Sequence, residues 1–297
     1  ELSIIIISYN TKDITKNCLN SIFQSLKNSK LTYEVIVVDN ASNDGSQTQI
    51  SKLKSQNQNL NLKTIFNTRN IGFAKANNQG VKIARGKYLL LLNSDILVLN
   101  NAIEKLLNFY KQNEKMFNFL GGKLLNKDLT PQPSCGPMYS IPMVFAHLFL
   151  KGDYWGLTRY SPNKVKEVDW VSGACILTTK KIFQKLGGFD ENIFMYMDEI
   201  DLLYRAKKKG FKVFFYPQAQ FIHFGSASSA GRTYPILQVY RGLIYFYKKH
   251  HNDPVSLFIL KFMLKLKAIM AILIGKLLNN KYLIKTYEEA FKLVQMA

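Results

Sequence analysis

The chain has 297 residues, 47% of them hydrophobic and 13% aromatic. That is enough apolar material for a sizeable core and excludes a disordered, collagen-like or disulfide-framework protein. Its 40 Lys+Arg outnumber its 20 Asp+Glu, for a formal net charge of +20, which suits nucleic acid, an anionic membrane face or a phosphorylated substrate without choosing among them. Cys18, Cys135 and Cys175 are too few and too scattered for a zinc pattern or a secreted framework, so a reducing cytoplasmic compartment is expected.

Residues 4–7 are four isoleucines with no basic segment or cleavage site before them. The run reads as a buried strand over 3–8 and not as a secretory signal. Residues 11–26 carry Ile14, Cys18, Ile22 and Leu26 at helical spacing. A second strand over 33–38 runs into the turn cluster Asp39–Ser46, and a polar helix, a strand at 62–66, a helix at 74–84 and an apolar strand at 88–92 follow. This alternation predicts a parallel sheet covered on both faces, with ligands beyond the carboxyl ends of its strands. Asp39 and Asn93-Ser94-Asp95 fall at those ends.

Pro131, Pro133, Gly136, Pro137 and Pro142 mark residues 126–142 as loop. A strand is expected over 171–178, a short helix over 180–186, a helix over 198–209 closed by Gly210, and strand-like segments at 211–216 and 220–223. Beyond residue 235 the chain reads as helical.

Five constellations carry chemistry. Ser8-Tyr9-Asn10 with Asp39 suits a pyrimidine nucleoside, Tyr9 stacking on the base and Asp39 accepting its ring N–H. A turn Asp and a core aromatic are the plainer readings. Arg69 and Lys75 flank Gly72 at a helix start, as a phosphate site or a solvated turn would have them. The two adjacent asparagines Asn77 and Asn78 are poor helix formers, which favours binding. Asp95 with Asn93 suits a hard divalent cation, or a helix cap. Asp198, Glu199 and Asp201 put three carboxylates into four residues, crowded enough to raise a pKa toward general-base use, although acids are also favoured at a helix start. His223 at a strand end is a structural residue or a metal ligand.

Taken in order, Ile4–Asn10, Val37–Ser46, Arg69–Gly80, Asn93–Asp95, Val171–Ala174, Gly187–Glu191, Met195–Arg205 and Tyr216–His223 resemble an inverting family 2 glycosyltransferase of GT-A fold over roughly residues 2–250. The Asn70–Gly80 wording is closest to rhamnosyltransferase-like and galactofuranosyltransferase-like branches. The resemblance implies an α/β nucleotide-diphospho-sugar transferase fold with a nucleotide-binding half (1–125) and an acceptor and catalytic half (126–250). It also implies a pyrimidine (UDP- or dTDP-) sugar donor held by Ser8, Tyr9, Asn10, Asp39, Arg69, Gly72, Asn78, Asn93, Ser94 and Asp95. Asp95 and His223 would bind Mg²⁺ or Mn²⁺, and Trp170, Gly173 and Asp201 a glycan or lipid-linked acceptor. Glu199 would be the base, with Asp198 as runner-up. Two departures stand out: Asn93 replaces the first Asp of the family's Asp-x-Asp motif, and the usual Glu-Asp pair is inverted to Asp198-Glu199. They leave a catalytically inactive sugar-nucleotide-binding scaffold as the alternative.

In the tail, 251–297, Lys261, Lys265, Lys267 and Lys276 interrupt the longest apolar stretch, which disfavours spanning a bilayer. The pattern suits an interfacial basic helix on an anionic membrane, the inner face of the cell membrane for an envelope enzyme, or a helical hairpin packed on the domain or in a homodimer. No zinc-finger, basic-zipper or RNA-recognition signature supports nucleic acid as the partner.

Overall fold

The computed structural model describes residues 1–56, 61–225, 233–251 and 253–297. The N-terminal part runs β1 (Leu2–Ser8), α1 (Lys12–Leu26), β2 (Tyr33–Asp39), α2 (Ser46–Gln56), β3 (Leu62–Phe66), α3 (Phe73–Ile83), β4 (Tyr88–Asn93), β5 (Ile96–Val98) and α4 (Ala102–Gln112). Next come β6 (Phe119–Leu125), β7 (Pro131–Gln132), β8 (Cys135–Gly136), α5 (Ile141–Phe149), β9 (Lys166–Val168), β10 (Trp170–Val171), β11 (Cys175–Thr179) and α6 (Lys180–Lys185). The chain ends with α7 (Asp198–Lys208), β12 (Val213–His223), α8 (Thr233–His250), α9 (Pro254–Leu277) and α10 (Lys281–Met296).

The main sheet has the order β3-β2-β1-β4-β11-β6-β12-β5. Its first four strands are parallel, as the alternating pattern predicts. Beyond them the sheet is mixed: β11 is antiparallel to both β4 and β6, and β5 is antiparallel to β12. Alternate residues of one strand feed opposite faces. Ile5, Ile7, Leu89 and Leu91 join a core with α3, α7 and α8, while Ile4, Ile6, Leu90 and Leu92 join another with α1 and α4.

Three local expectations are corrected. The strand over 171–178 is broken, because residues 172–174 leave the sheet as a turn in which Cys175 N–H donates to Ser172 O at 3.1 Å. The segments at 211–216 and 220–223 are one strand, β12, with a register shift between Tyr216 and Gln220, where Pro217 has no N–H to donate. Residues 126–142 are not wholly loop: β7 and β8 are short strands there, and α5 starts at Ile141 with Pro142 in its first turn, a place where its missing N–H costs nothing.

At the C-terminus, Asp253 caps α9 by accepting from Val255 N–H (3.0 Å) and Ser256 N–H (2.9 Å). Leu260, Met263 and Leu264 of α9 and Ala290 and Val294 of α10 share the core of α7 and α8. The opposite side of α9 is bare. Val255, Phe258, Phe262, Leu266, Ile269, Leu273 and Leu277 are all exposed, at three- and four-residue spacing. Among the described residues no helix is long and apolar enough to cross a membrane.

Candidate active site

Parallel register collects the predicted residues at one edge. Ser8 pairs with Asp39 and Ile7 with Asn93, so the segments leaving β1, β2 and β4 emerge side by side. Behind them opens a cleft of about 650 Å³, lined from the N-terminal half by Tyr9, Thr11, Asn70, Gly72, Asn93, Ser94 and Asp95. From the C-terminal half come Gln132, Arg159, Trp170, Gly173, Asp198, Glu199 and His223.

The two halves are stitched at Gly72. Its φ is +88°, and a Cβ there would lie 2.6 Å from Phe194 O, so only glycine fits. Asn40 Nδ2 donates to Gly72 O (3.1 Å), and Phe73 N–H donates to Phe194 O (2.7 Å). That contact leads into Tyr196 and Met197, consecutive non-glycine residues at φ +64° and +66°. Such backbone persists only where the surroundings impose it. It turns the chain sharply enough that α7 begins with Asp198 and Glu199 in the cleft wall.

Asp198 is buried, and its Oδ2 has no hydrogen-bond partner. Burial, reinforced by the charge of Glu199, pushes its carboxyl well above the ordinary carboxylate range. Glu199 is half-exposed beside Gly173, where an added Cβ would sit 3.8 Å from Glu199 Oε1. Burial raises its pKa too, opposed by the helix N-terminal amides and by the charge of Arg159. A carboxylate reachable from the cleft with a raised pKa is suited to accept a proton.

Asp95 Oδ1 lies 3.4 Å from His223 Nε2. Pairing of β5 with β12 sets this contact, since His223 is the register partner of Ile96. His223 Nδ1 sits 2.7 Å from Gln132 Oε1, while Gln132 Nε2 donates to His223 O (3.2 Å). Nδ1 therefore donates to Gln132, and Nε2 faces Asp95 Oδ1 and Asn93 Nδ2, each at 3.4 Å. Asn93 Oδ1 is buried without a partner close by. One carboxylate oxygen, one imidazole nitrogen and one orphaned amide acceptor form a donor set that fits a divalent cation needing further oxygen ligands. Among the described residues no group of three or more His, Cys, Asp and Glu is placed to hold a metal, so the protein side of such a shell is partial.

Other predicted residues stand outside the cleft wall. Asp39 is fully buried at the end of β2. Its Oδ1 accepts from Ser42 N–H and Gln47 Nε2 (both 2.9 Å), and its Oδ2 from Ser42 Oγ (2.6 Å). Asn10 ties two loops, its N–H donating to Ser42 Oγ and its Oδ1 accepting from Asn43 N–H. Ser8 Oγ accepts from Thr15 in the core. Arg69 is exposed. Asn78 does not face the cleft: its amide bonds Phe189 N–H and O at 3.0 and 2.9 Å and holds the 187–191 turn. Asp201 points away as well, fully buried between Arg205, Lys249 and His250 at 2.7–2.8 Å.

Thr11, Gln132 and Arg159 belong to none of the motifs read from the sequence. Arg159 sits in a loop without a motif, and the guanidinium carbon lies 5.5 Å from the Trp170 ring. Trp170 itself is anchored by its Nε1–H on Pro137 O (2.8 Å).

Residues 3–134 match the family model described as Glycosyl transferase family 2. The low-salt glycan biosynthesis hexosyltransferase Agl10 of Haloferax volcanii is 25% identical over 220 residues, covering 72% of this chain and 64% of that one. An N-acetylglucosaminyl-diphospho-decaprenol L-rhamnosyltransferase of Mycobacterium tuberculosis is 27% identical over 218 residues, covering 67% and 68%. The chain thus spans about two thirds of the length of these relatives. In fold it is similar to the mannosyltransferase PcManGT of Pyrobaculum calidifontis in complex with GDP-Man and Mn²⁺, with a TM-score of 0.60 at 14% identity, covering 100% of this chain and 75% of that one. S. aureus TarS 1-349 in complex with UDP-GlcNAc gives 0.57 at 16% identity, covering 98% and 79%. Sheet order and cleft agree with these comparisons: residues 3–134 match glycosyl transferase family 2, and the chain has the GT-A fold of these structural neighbours.

Proposed function

We propose that the chain is an inverting, divalent-cation-dependent glycosyltransferase that moves a sugar from a pyrimidine nucleotide-sugar to a hydroxyl of a glycan or lipid-linked acceptor in envelope polysaccharide synthesis. The observation that carries this is the cleft itself, which Glu199 and the Asp95–His223 pair line together.

In this reading Tyr9 stacks on the base, and Asp39, buried behind the Ser42 turn, would exchange its Ser42 Oγ contact for the ring N–H of uracil or thymine. Asp95, His223 and Asn93 would hold Mg²⁺ or Mn²⁺, which supplies charge neutralisation at the donor diphosphate. Glu199 takes the proton of the acceptor hydroxyl while its oxygen attacks the anomeric carbon from the face opposite the leaving group. One displacement inverts the centre, with no covalent sugar–enzyme intermediate. Burial keeps Glu199 basic, and its charge in turn adds to the burial that raises the neighbouring Asp198 carboxyl. The Mycobacterium tuberculosis relative's rhamnosyl specificity favours a deoxyhexose donor. The neighbours' ligands, GDP-Man and UDP-GlcNAc, cover both base classes, so Asp39 and Tyr9 are what favour a pyrimidine here.

The bare side of α9 adds a location. Its apolar stripe is bordered by Lys261, Lys265 and Lys276, an arrangement that lays a helix on an anionic leaflet with these lysines reaching the headgroups, while Lys267 lies toward the packed side. The protein would then work as a peripheral membrane enzyme. A homodimer through the same stripe is the competing arrangement.

The test is a panel of UDP-, dTDP- and GDP-sugars with Mg²⁺ or Mn²⁺, read by thermal stabilisation and nucleotide release. A pyrimidine nucleotide-sugar should stabilise the protein only with the cation present. A GDP-sugar as the sole hit would refute the base assignment, and cation-independent turnover would refute the metal role.

A further inference from the structure

Arg159 has no close ion pair among the described residues, although its charge reaches Glu199 and Asp153. Its Nε is buried and makes no hydrogen bond, and among the described residues no carboxylate lies within ion-pairing distance of its guanidinium. Yet it lines the cleft on the Glu199 side, braced on the Trp170 face. His147 lines the same wall, with its Nδ1 3.2 Å from Asp153 Oδ1. That contact leaves Nε2 as the ring's remaining polar atom. An unpaired buried donor is costly unless a ligand satisfies it, and a planar guanidinium matches phosphate oxygens two at a time.

The residues just before Arg159 have the opposite character. Leu150, Tyr154, Trp155 and Leu157 are exposed, Tyr154 by 79% and Trp155 by 68%. They are not loosely held. Tyr154 N–H and Trp155 N–H donate to Lys151 O (2.9 and 3.2 Å), and Leu157 N–H donates to Gly152 O (2.8 Å). The Tyr154 and Trp155 rings meet edge to face at 5.0 Å. A tied loop that displays aromatic side chains to water has something apolar to cover. One stretch of ten residues thus offers an anion site inside the cleft and an apolar ledge outside it.

We infer that residues 150–159, with His147, form a binding site for an anionic amphiphile, the phosphate group of a lipid-linked acceptor resting on Arg159 and its hydrocarbon chain on Tyr154 and Trp155. The inference rests on the glycosyl-transfer reading above and narrows its acceptor class. A phosphate held at Arg159 leaves the acceptor sugar between it and Glu199. The source of the phosphate is taken to be the acceptor, and the test separates it from the donor diphosphate by keeping UDP and cation saturating.

The chain has two tryptophans, Trp155 and Trp170, both in this site, so intrinsic fluorescence reports on it and not on α9. The probe is decyl phosphate below its micellar concentration, titrated into the full chain with saturating UDP and Mn²⁺ present, beside decanol and inorganic phosphate. Decyl phosphate should bind at least about tenfold more tightly than either fragment, as a charge-assisted bond added to an apolar contact implies. Arg159→Gln should lose about tenfold for decyl phosphate and leave decanol unchanged. Trp155→Ser, read through Trp170, should weaken decyl phosphate and spare inorganic phosphate.

Equal binding of decanol and decyl phosphate would overturn the proposal, as would decyl phosphate binding seen only when UDP is left out, or indifference to Arg159→Gln in a variant with wild-type melting temperature. Hydrolysis of the nucleotide-sugar by water, measured on the same preparations, reports the transferase reading separately. If it persists while decyl phosphate fails to bind, only the acceptor assignment falls.

Discussion

A Cβ placed on Gly242 of α8 would lie 2.7 Å from Met197 Cγ and 2.9 Å from Met197 Cβ. Gly242 thus leaves room for the second of the two left-handed residues that aim Asp198 and Glu199. Gly242→Ala would gain helix propensity of about 1 kcal/mol but must displace Met197, at an overpacking cost of about 1–3 kcal/mol. The melting temperature should fall slightly and turnover fall more, since the backbone that moves carries the carboxylates. Unchanged kcat would show that the Tyr196–Met197 turn does not position them.

Glu199→Gln removes the proton acceptor while keeping its shape, and turnover should drop about 10²–10⁴-fold with nucleotide-sugar binding retained by calorimetry. Because burial raises the Glu199 pKa, the active, ionised form is lost as pH falls through that raised value. The acid limb of kcat/KM should therefore lie above the usual carboxylate range of about 4–4.5. Asp198→Asn replaces a carboxyl already held high in pKa with a neutral amide, so activity should survive with the acid limb close to its wild-type position. Abolished activity in Asp198→Asn beside an active Glu199→Gln would reverse the two roles.

Asp95→Asn should abolish cation-dependent thermal stabilisation by the donor nucleotide while leaving the melting temperature without nucleotide close to wild type. His223→Gln keeps a neutral acceptor and should weaken the Mn²⁺ response by about 10–100-fold in apparent affinity. The readout is the shift in melting temperature against cation concentration at fixed UDP.

The cluster around Asp201 is a stability device. Asp201 is fully buried and is the only carboxylate paired with Arg205 and His250 among the described residues. Asp201→Asn should destabilise the fold by about 3–5 kcal/mol in denaturant titration, with donor and acceptor KM values unchanged. His250 titrates below its ordinary value, because burial and the charges of Lys249 and Lys208 outweigh the raising effect of Asp201. The unfolded chain therefore takes up a proton near pH 6.5 that the folded state resists. Stability is held above that pH and declines as pH drops below it, and His250→Gln should flatten the decline.

Phe262→Glu with Leu266→Glu puts two charges in the middle of the outer α9 stripe without touching its packed side. The double variant should remain folded and stop sedimenting with anionic liposomes at low salt, where the parent pellets. If the parent stays in the supernatant but dimerises, and the variant is monomeric, the stripe covers a second copy instead.

Much of the fold was legible because apolar spacing is a local signal. The N-terminal alternation, α7 with its closing Gly210, and the end-of-strand placement of Asp95 all follow from it. The mixed half was less legible. Strand β6 contains Gly121 and Gly122, residues disfavoured inside a strand, but added Cβ atoms would lie 2.6 Å from Val171 and 2.5 Å from Phe221. They are glycines because neighbours press against them, which no single segment reveals. At the site, residues at strand ends were readable, whereas Asn78 and Asp201 kept motif positions but spend their polar atoms on a turn and on a buried ion cluster. Arg159 announced nothing in sequence; its meaning comes from the partner it lacks.

The contact between Asp95 and His223 also has a place in time. Strand β12 lies between β6 and β5 in the sheet, so until it inserts, β5 has no place beside it and Asp95 faces no imidazole. A nascent chain that has left the ribosome as far as residue 134 already contains the whole stretch matched by the family model, including β1 to β4, and still has no His223. Capacity for the cation would thus arrive with the last strand of the sheet. An intermediate caught during synthesis could bind a nucleotide base before it could bind a metal, and cation-dependent stabilisation would report completion of the sheet.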